Sequence, residues 1–404
     1  MINILKNSIK TKTINFKDNY HNDKDFTLFL CVGFLAGIAG GINSTIFNNF
    51  LSDVYKLSST ARGLVELPRE LPGFTIALVL AALMFLGDIR IASIGMFAAS
   101  LGMAGIGLLS PTFTTMIIFL MIFSLGTHMF MPLSTSIGMA LSEQDQYGAR
   151  LGRYNAFGLM AAIIGYIIVW VGFKYLHFSY QIAFVIAAVF YMLAAFTLFL
   201  MSPQKPHHKS FKFIFRKRYT LYYILCIVNG ARKQIFLTFA PWVLIQTFHV
   251  DPPAFAVLGV IIAVLSIVTR TIVGNAIDSL GERKVLSAEA VLLIILCMGY
   301  AFAGSIFPVS IAVVIIAACY ILDNSMSAVE MARATYMRKI ALTPTDVTHT
   351  LSMGISLDHA VSMTIPILGG ILWATCGYPA VFLAAAVIAA TNLFLSLKIR
   401  TVID

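Results

Sequence analysis

Apolar residues run in stretches of about twenty, parted by short polar or charged breaks, along nearly the whole 404-residue chain. Wound as a helix, such a stretch matches the ~30 Å hydrocarbon core of a bilayer. The runs predict twelve spans, the first six at residues 26–50, 62–86, 90–109, 113–141, 154–175 and 180–201. The second six fall at 220–248, 254–274, 285–304, 308–337, 349–373 and 378–397. Turn chemistry marks the breaks, as at Ser110-Pro111, Pro252-Pro253 and Cys376-Gly377-Tyr378-Pro379. The runs are continuous rather than alternating, which excludes the wall of a β-barrel. The expected fold class is an all-α integral membrane protein, with twelve transmembrane helices in two six-helix bundles.

Charge refines this picture. Only 11% of residues are charged, against about 25% in a soluble domain. Of the 28 Lys and Arg, the tail 1–25 holds five and the stretch 202–219 six, with no acid in the latter. The other even-numbered connections and the C-terminus add Arg90, Arg150, Arg153, Arg283, Lys284, Arg338, Lys339, Lys398 and Arg400. The odd-numbered connections, with the helix turns beside them, carry only Lys56, Arg62, Arg69 and Lys174. The positive-inside rule then places both termini in the cytoplasm, and an even span count requires them on one side. The expected organisation is a basic cytoplasmic tail (1–25), a six-helix bundle (26–201), a basic cytoplasmic linker (202–219) and a second bundle (220–404).

The tail is polar and basic, unlike a cleaved secretory signal, so the first span directs insertion. The plasma (inner) membrane is the expected location. A net charge of +10 belongs to loops facing anionic lipid, and no nucleic-acid partner is expected. The five cysteines have no paired spacing and His207-His208 lies in the basic linker, so neither a metal nor another cofactor is expected. No Gly-x-x-x-x-Gly-Lys-Ser/Thr loop occurs, which argues against direct ATP use. No nucleophile–base constellation marks an enzyme.

The halves echo each other. Val54-Tyr55-Lys56-Leu57-Ser58 follows the first span as Thr247-Phe248-His249-Val250-Asp251 follows the seventh. Tyr180-x-x-x-Phe184 opens the sixth span as Tyr378-x-x-x-Phe382 opens the twelfth. Between the eighth and ninth spans the chain reads Gly274-Asn275-Ala276-Ile277-Asp278-Ser279-Leu280-Gly281-Glu282-Arg283-Lys284. This resembles the Gly-x-x-x-Asp-Arg-x-Gly-Arg-Arg/Lys loop of the major facilitator superfamily, through Gly274, Asp278, Gly281 and Arg283. Ser279 and Glu282 stand where that family has Arg. Gly87-Asp88-Ile89-Arg90 is the remnant between the second and third spans. Pro366-Ile367-Leu368-Gly369-Gly370 is similar to the antiporter motif Gly-Pro-x-x-Gly-Gly, which that family carries in its fifth span. The resemblance implies two bundles rocking about a central site, with Asp278 stabilising one orientation; helix capping by Asp278 is the alternative.

Ionisable groups at membrane depth cost at least ~2.5–3.5 kcal/mol each, which makes them functional candidates. Arg232 and Lys233 lie about twelve residues into the seventh span, and being adjacent they point about 100° apart. One is expected to face a cavity and the other a protein partner. Asp323, Ser327 and Glu330 share a face of the tenth span at i, i+4, i+7, with Asn324 beside them. Asp358 and Ser362 share a face of the eleventh, next to His359. Arg270 and Arg333 are expected to snorkel. Arg62, Glu66, Arg69 and Glu70 form a neutral ladder in the outer vestibule, either a gate or a static solvated group. His128 is a proton-carrier candidate or a hydrogen-bonded structural residue. A structural ion-pair network among the seventh, tenth and eleventh spans is the rival to a substrate or proton role.

The expected function is secondary active transport of a small organic solute by alternating access, coupled to protons and favouring an anion, by a monomer. Proton-driven efflux of lipophilic or cationic compounds is the alternative, and a transport-inactive sensor or scaffold the rival class.

Overall fold

The computed structural model describes residues 2–142, 147–202 and 216–399, with the side chains of 2–23, 147–149, 344, 345 and 348 left aside. The basic stretch 202–219 lies outside the described residues apart from its ends. The described chain is helical, with no strand. The first half holds α1 (Ile2–Asp53), α2 (Ser59–Leu83), α3 (Asp88–Leu108), α4 (Phe113–Ala140), α5 (Tyr147–Tyr175) and α6 (Tyr180–Phe199). The second holds α7 (Thr220–Gln246), α8 (Pro252–Leu280), α9 (Glu282–Ile306), α10 (Val309–Ser325), α11 (Glu330–Ile340), α12 (Pro344–Cys376) and α13 (Tyr378–Leu397). α10 and α11 make one span, interrupted by a 3-10 turn at Met326–Val329.

Among the described residues, eleven spans are long and apolar enough to cross a membrane, so the chain is an integral membrane protein. α7, with 27 residues, is long enough as well. Asn229, Arg232, Lys233 and Gln234 dilute its apolar character. Span limits match the sequence pattern to within a few residues, because interfacial breaks with strong turn chemistry end most helices. α1 is the exception: its helix already starts at Ile2, while its apolar part is Lys24–Asp53.

The internal echo is structural. Lys56 and His249 both adopt left-handed backbone, with φ of 51° and 54°. Both close the same pair of backbone bonds, Lys56 N–H to Ser52 and Leu57 N–H to Leu51, His249 N–H to Ile245 and Val250 N–H to Leu244. Two residues later Ser58 and Asp251 each cap the next helix with a side-chain oxygen. At the other membrane face Gly87 (φ 77°) and Gly281 (φ 80°) form the corners before α3 and α9. A side chain there would strain the left-handed backbone. The acids that follow tie equivalent spans: Asp88 accepts from Ser136 of α4, and Glu282 pairs with Lys339 of α11 at 2.9 Å.

Helix packing follows small residues, as expected where lipid removes the drive for apolar burial. Gly33, Gly37 and Gly41 of α1 face Tyr154, Gly158 and Ala162 of α5, where a Cβ would collide. One apolar core joins the first six spans and receives Trp242 and Trp373 from the second half. Two more cores lie within the second half. On the side of the termini, the Tyr219 hydroxyl donates to Asp346 at the start of α12 and holds its carboxyl below the usual carboxylate range. That tie is present at neutral pH and fades as pH falls through the lowered value.

The halves join toward the side opposite the termini. Asn49 donates to the Val250 carbonyl and Gln246 to Ser52, each at 2.8 Å. Ser59 and Thr60 donate to the Gly370 carbonyl at 3.3 Å. Gly63 lies against the Pro366 carbonyl with no room for a Cβ. A cavity of about 380 Å³ at this far side is lined by residues including Asp53, Lys56, Gln246, His249 and Asp251.

Candidate functional site

The site grows from the middle of α7. Helical geometry turns successive side chains by about 100°, and three consecutive residues there reach three different helices. Arg232 donates to Asp323 of α10, with its guanidinium 5.4 Å from the Phe236 ring centre. Lys233 donates to Asp358 of α12 at 2.6 Å. Gln234 donates to Glu66 of α2 at 2.9 Å, across the two halves. Gly230 lets α12 approach, since a Cβ there would strike the Asp358 carboxylate.

Exposure separates the two cations. The Arg232 and Asp323 side chains are each 10% exposed, those of Lys233 and Asp358 30% and 18%. Arg232 is thus enclosed within the second half, and Lys233 is the more exposed of the two cations. Both cations meet a protein carboxylate, and they differ in how much of the side chain is left exposed.

Arg62, Glu66, Arg69 and Glu70 do form a ladder, but it is not solvated. Arg62 and Glu66 are fully buried. Arg69 pairs with Glu66 at 2.9 Å and with Glu70 at 3.2 Å. Arg62 also donates to Asn48 of α1 at 3.0 Å and lies 6.0 Å from the Trp242 ring centre. Closure of the two halves over the start of α2 removes the water that a vestibule would supply. Glu70 extends the ladder across the halves, accepting from His359 Nδ1 at 3.0 Å. His128 Nε2 stands 3.9 Å from the same carboxylate oxygen, and its Nδ1 lies 2.9 Å from the Ser124 carbonyl oxygen.

Other predicted residues fall elsewhere. The 3-10 turn at Met326–Val329 breaks the expected shared face of Asp323 and Glu330. At three residues per turn it adds roughly 80° over four residues, and Glu330 is exposed with no ion pair among the described residues. Asn324 donates its amide to Tyr320 of its own helix. Arg333 does not snorkel; it is buried and pairs with Glu289 of α9 at 3.4 Å.

Gly274 through Leu280 are helical rather than a loop, the last two turns of α8, and only Gly281 breaks the helix. Asp278 is exposed, pairs with no described group and does not cap α9, whose N-cap is Gly281. Arg283 likewise shows no partner among the described residues. Sequence reasoning missed Gln234, Ser124 and Gly230. The signal for Gln234 was its place beside two buried cations.

A sequence profile of the Major Facilitator Superfamily matches residues 29–352. The chain belongs to this superfamily. It is therefore a membrane transporter rather than an enzyme. No curated protein matches it at the level of sequence. The nucleoside transporter NupG, in a mutant form, is similar in structure with a TM-score of 0.75 at 13% identity, over 93% of this chain and 100% of that one. A bacterial homologue of the human lysosomal transporter Spinster, inward-facing and occupied, gives 0.72 at 16% identity, over 94% and 97%. A D-xylose-proton symporter gives 0.68 at 14%, over 93% and 97%. These likenesses establish the shared fold.

Proposed function

We propose that the protein is a proton-coupled transporter of a small organic anion, working by alternating access between its two halves. The observation that carries this reading is Lys233. It is a cation midway along α7, partly exposed, and held by a single acid on another helix. An anionic group arriving at its exposed part competes with Asp358 for it. Arg232 faces Asp323 within the second half and is not assigned to the solute. The closed far side supports reading the present arrangement as open toward the termini. In the opposite state, Gly63 and Gly370 would part from their partners and the Gln234–Glu66 and His359–Glu70 bonds would break.

The acid proposed to carry the proton is Asp323. It lies three residues before the 3-10 turn in the tenth span, and such turns mark hinges. The cation facing it is Arg232. Glu289, Cys297 and Tyr300 of α9 and Cys319 and Tyr320 of α10 complete its surroundings. The names of the similar structures, a nucleoside transporter and a sugar–proton symporter, support secondary transport. Asp278 and Arg283, free of described partners, are proposed to pair in the other state.

Lys233→Gln should raise the KM for transport by roughly 10- to 100-fold, the value of one charge-assisted hydrogen bond of about 1.5–3 kcal/mol. An unchanged KM would remove Lys233 from the site, and preference for cations would favour efflux with Asp358 as the recognition group. The basic connections are proposed to face the cytoplasm, at the plasma membrane. Cysteines at Lys56 and Lys209 in a Cys-free chain should then label from outside and inside; labelling from one side contradicts the orientation.

A further inference from the structure

Glu70, His128 and His359 converge from α2, α4 and α12, although no spacing along the chain groups them. One donor atom from each lies within 4.8 Å of the others. We propose that these three residues bind a divalent transition-metal ion of the Zn²⁺ class at the junction of the two halves. Two imidazoles and a carboxylate with an open position form a donor set suited to such ions.

The geometry is close to what an ion requires. Metal–ligand distances of about 2.0–2.2 Å place tetrahedral donors roughly 3.3–3.5 Å apart. Here His359 Nδ1 and His128 Nε2 stand 3.0 Å and 3.9 Å from the same Glu70 oxygen. The 3.9 Å pair closes to that spacing with a movement of about 0.5 Å. Nδ1 of His128 is positioned to donate to the Ser124 carbonyl, which leaves the lone pair of Nε2 directed at Glu70. Ligand histidines are commonly fixed in this way by an outer partner.

Ser124 is itself anchored, its hydroxyl donating to the Arg69 carbonyl. Gly73 makes the room. A Cβ at that position would collide with both rings, which meet edge-on with centroids 5.1 Å apart. All three side chains are mostly buried, at 10–14% exposed. The other Glu70 oxygen is taken by Arg69 at 3.2 Å. With Arg62 and Arg69 already offset by Glu66 and Glu70, the dication favours an anionic fourth ligand such as hydroxide.

Two ligands belong to the first half and one to the second, so a bound ion ties the halves together in the far-closed arrangement. The test uses the full chain in nanodiscs, purified without a polyhistidine tag and carrying His207→Gln and His208→Gln to remove the vicinal pair. Zn²⁺ titration calorimetry should show one ion per chain, and Co²⁺ should give the visible absorption of a low-coordinate site. His128→Gln, His359→Gln and Glu70→Gln should each weaken Zn²⁺ binding about tenfold or more. Zn²⁺ should raise the unfolding temperature of the parent and not of the variants, whose metal-free unfolding transitions verify that they are folded. Absence of Zn²⁺ binding, or unchanged affinity in folded His128→Gln and His359→Gln, would overturn the proposal.

Discussion

Replacing Glu66 by leucine is expected to destabilise the protein by about 3–5 kcal/mol, the cost of breaking a buried ion pair. Glu66 accepts from Arg62 and Gln234 and pairs with Arg69. Its loss strands the Arg62 guanidinium, whose side chain is wholly buried and whose Nη2 already lacks a partner among the described residues. Arg69 can turn to Glu70 and to water, since it is one-quarter exposed, so the penalty falls mainly on Arg62. The double substitution Arg62→Met, Glu66→Leu should recover most of the loss, because apolar groups of similar volume often replace a buried pair at little cost. Thermal unfolding in nanodiscs measures both. A Glu66→Leu midpoint equal to that of the parent would mean the ladder is solvated.

The second large effect is expected at Asp323. Asp323→Asn keeps an oxygen for Arg232 to donate to, while removing the charge that a proton neutralises. Gradient-driven accumulation of substrate should fall to the level set by exchange alone, and exchange itself should persist. A purely structural pair predicts otherwise: Asp323→Asn and Arg232→Gln would each lower stability, and the double would restore both stability and coupled flux. Flux with and without a pH gradient, measured beside unfolding temperature for the two singles and the double, separates these outcomes.

What the sequence made legible depended on how local the cause was. Span limits came from apolar runs ended by their own turn residues, and Lys56 and His249 fell at equivalent left-handed corners because the surrounding pentapeptides share one turn. Buried cations on α7 were visible as charges too deep to reach an interface. Their partners were not. Which acid meets Arg232 and which meets Lys233 depends on the rotation of α10 and α12, and the 3-10 turn at Met326–Val329 alters that rotation within one span. The same turn parted Glu330 from Asp323.

The α2 ladder shows a second limit. Its i, i+3 and i, i+4 spacings matched the Glu66 pairs with Arg62 and Arg69 but not the pair of adjacent Arg69 and Glu70, and burial was supplied by the other half through Trp242 and Gln234. The Gly274–Lys284 segment shows the reverse. Its motif residues were recognisable, but their polar character suggested a loop where helix α8 continues to Leu280.

The central claim is that a pH gradient drives a small anion through a site holding Lys233. The most direct measurement is accumulation of radiolabelled organic anions, with neutral and cationic solutes as controls, by proteoliposomes containing the pure protein. The account predicts that an anion accumulates above its external concentration when an inward proton gradient is imposed, that a protonophore abolishes this, and that ATP is not needed. Accumulation that survives the protonophore, that requires ATP, or that is confined to cations would contradict it.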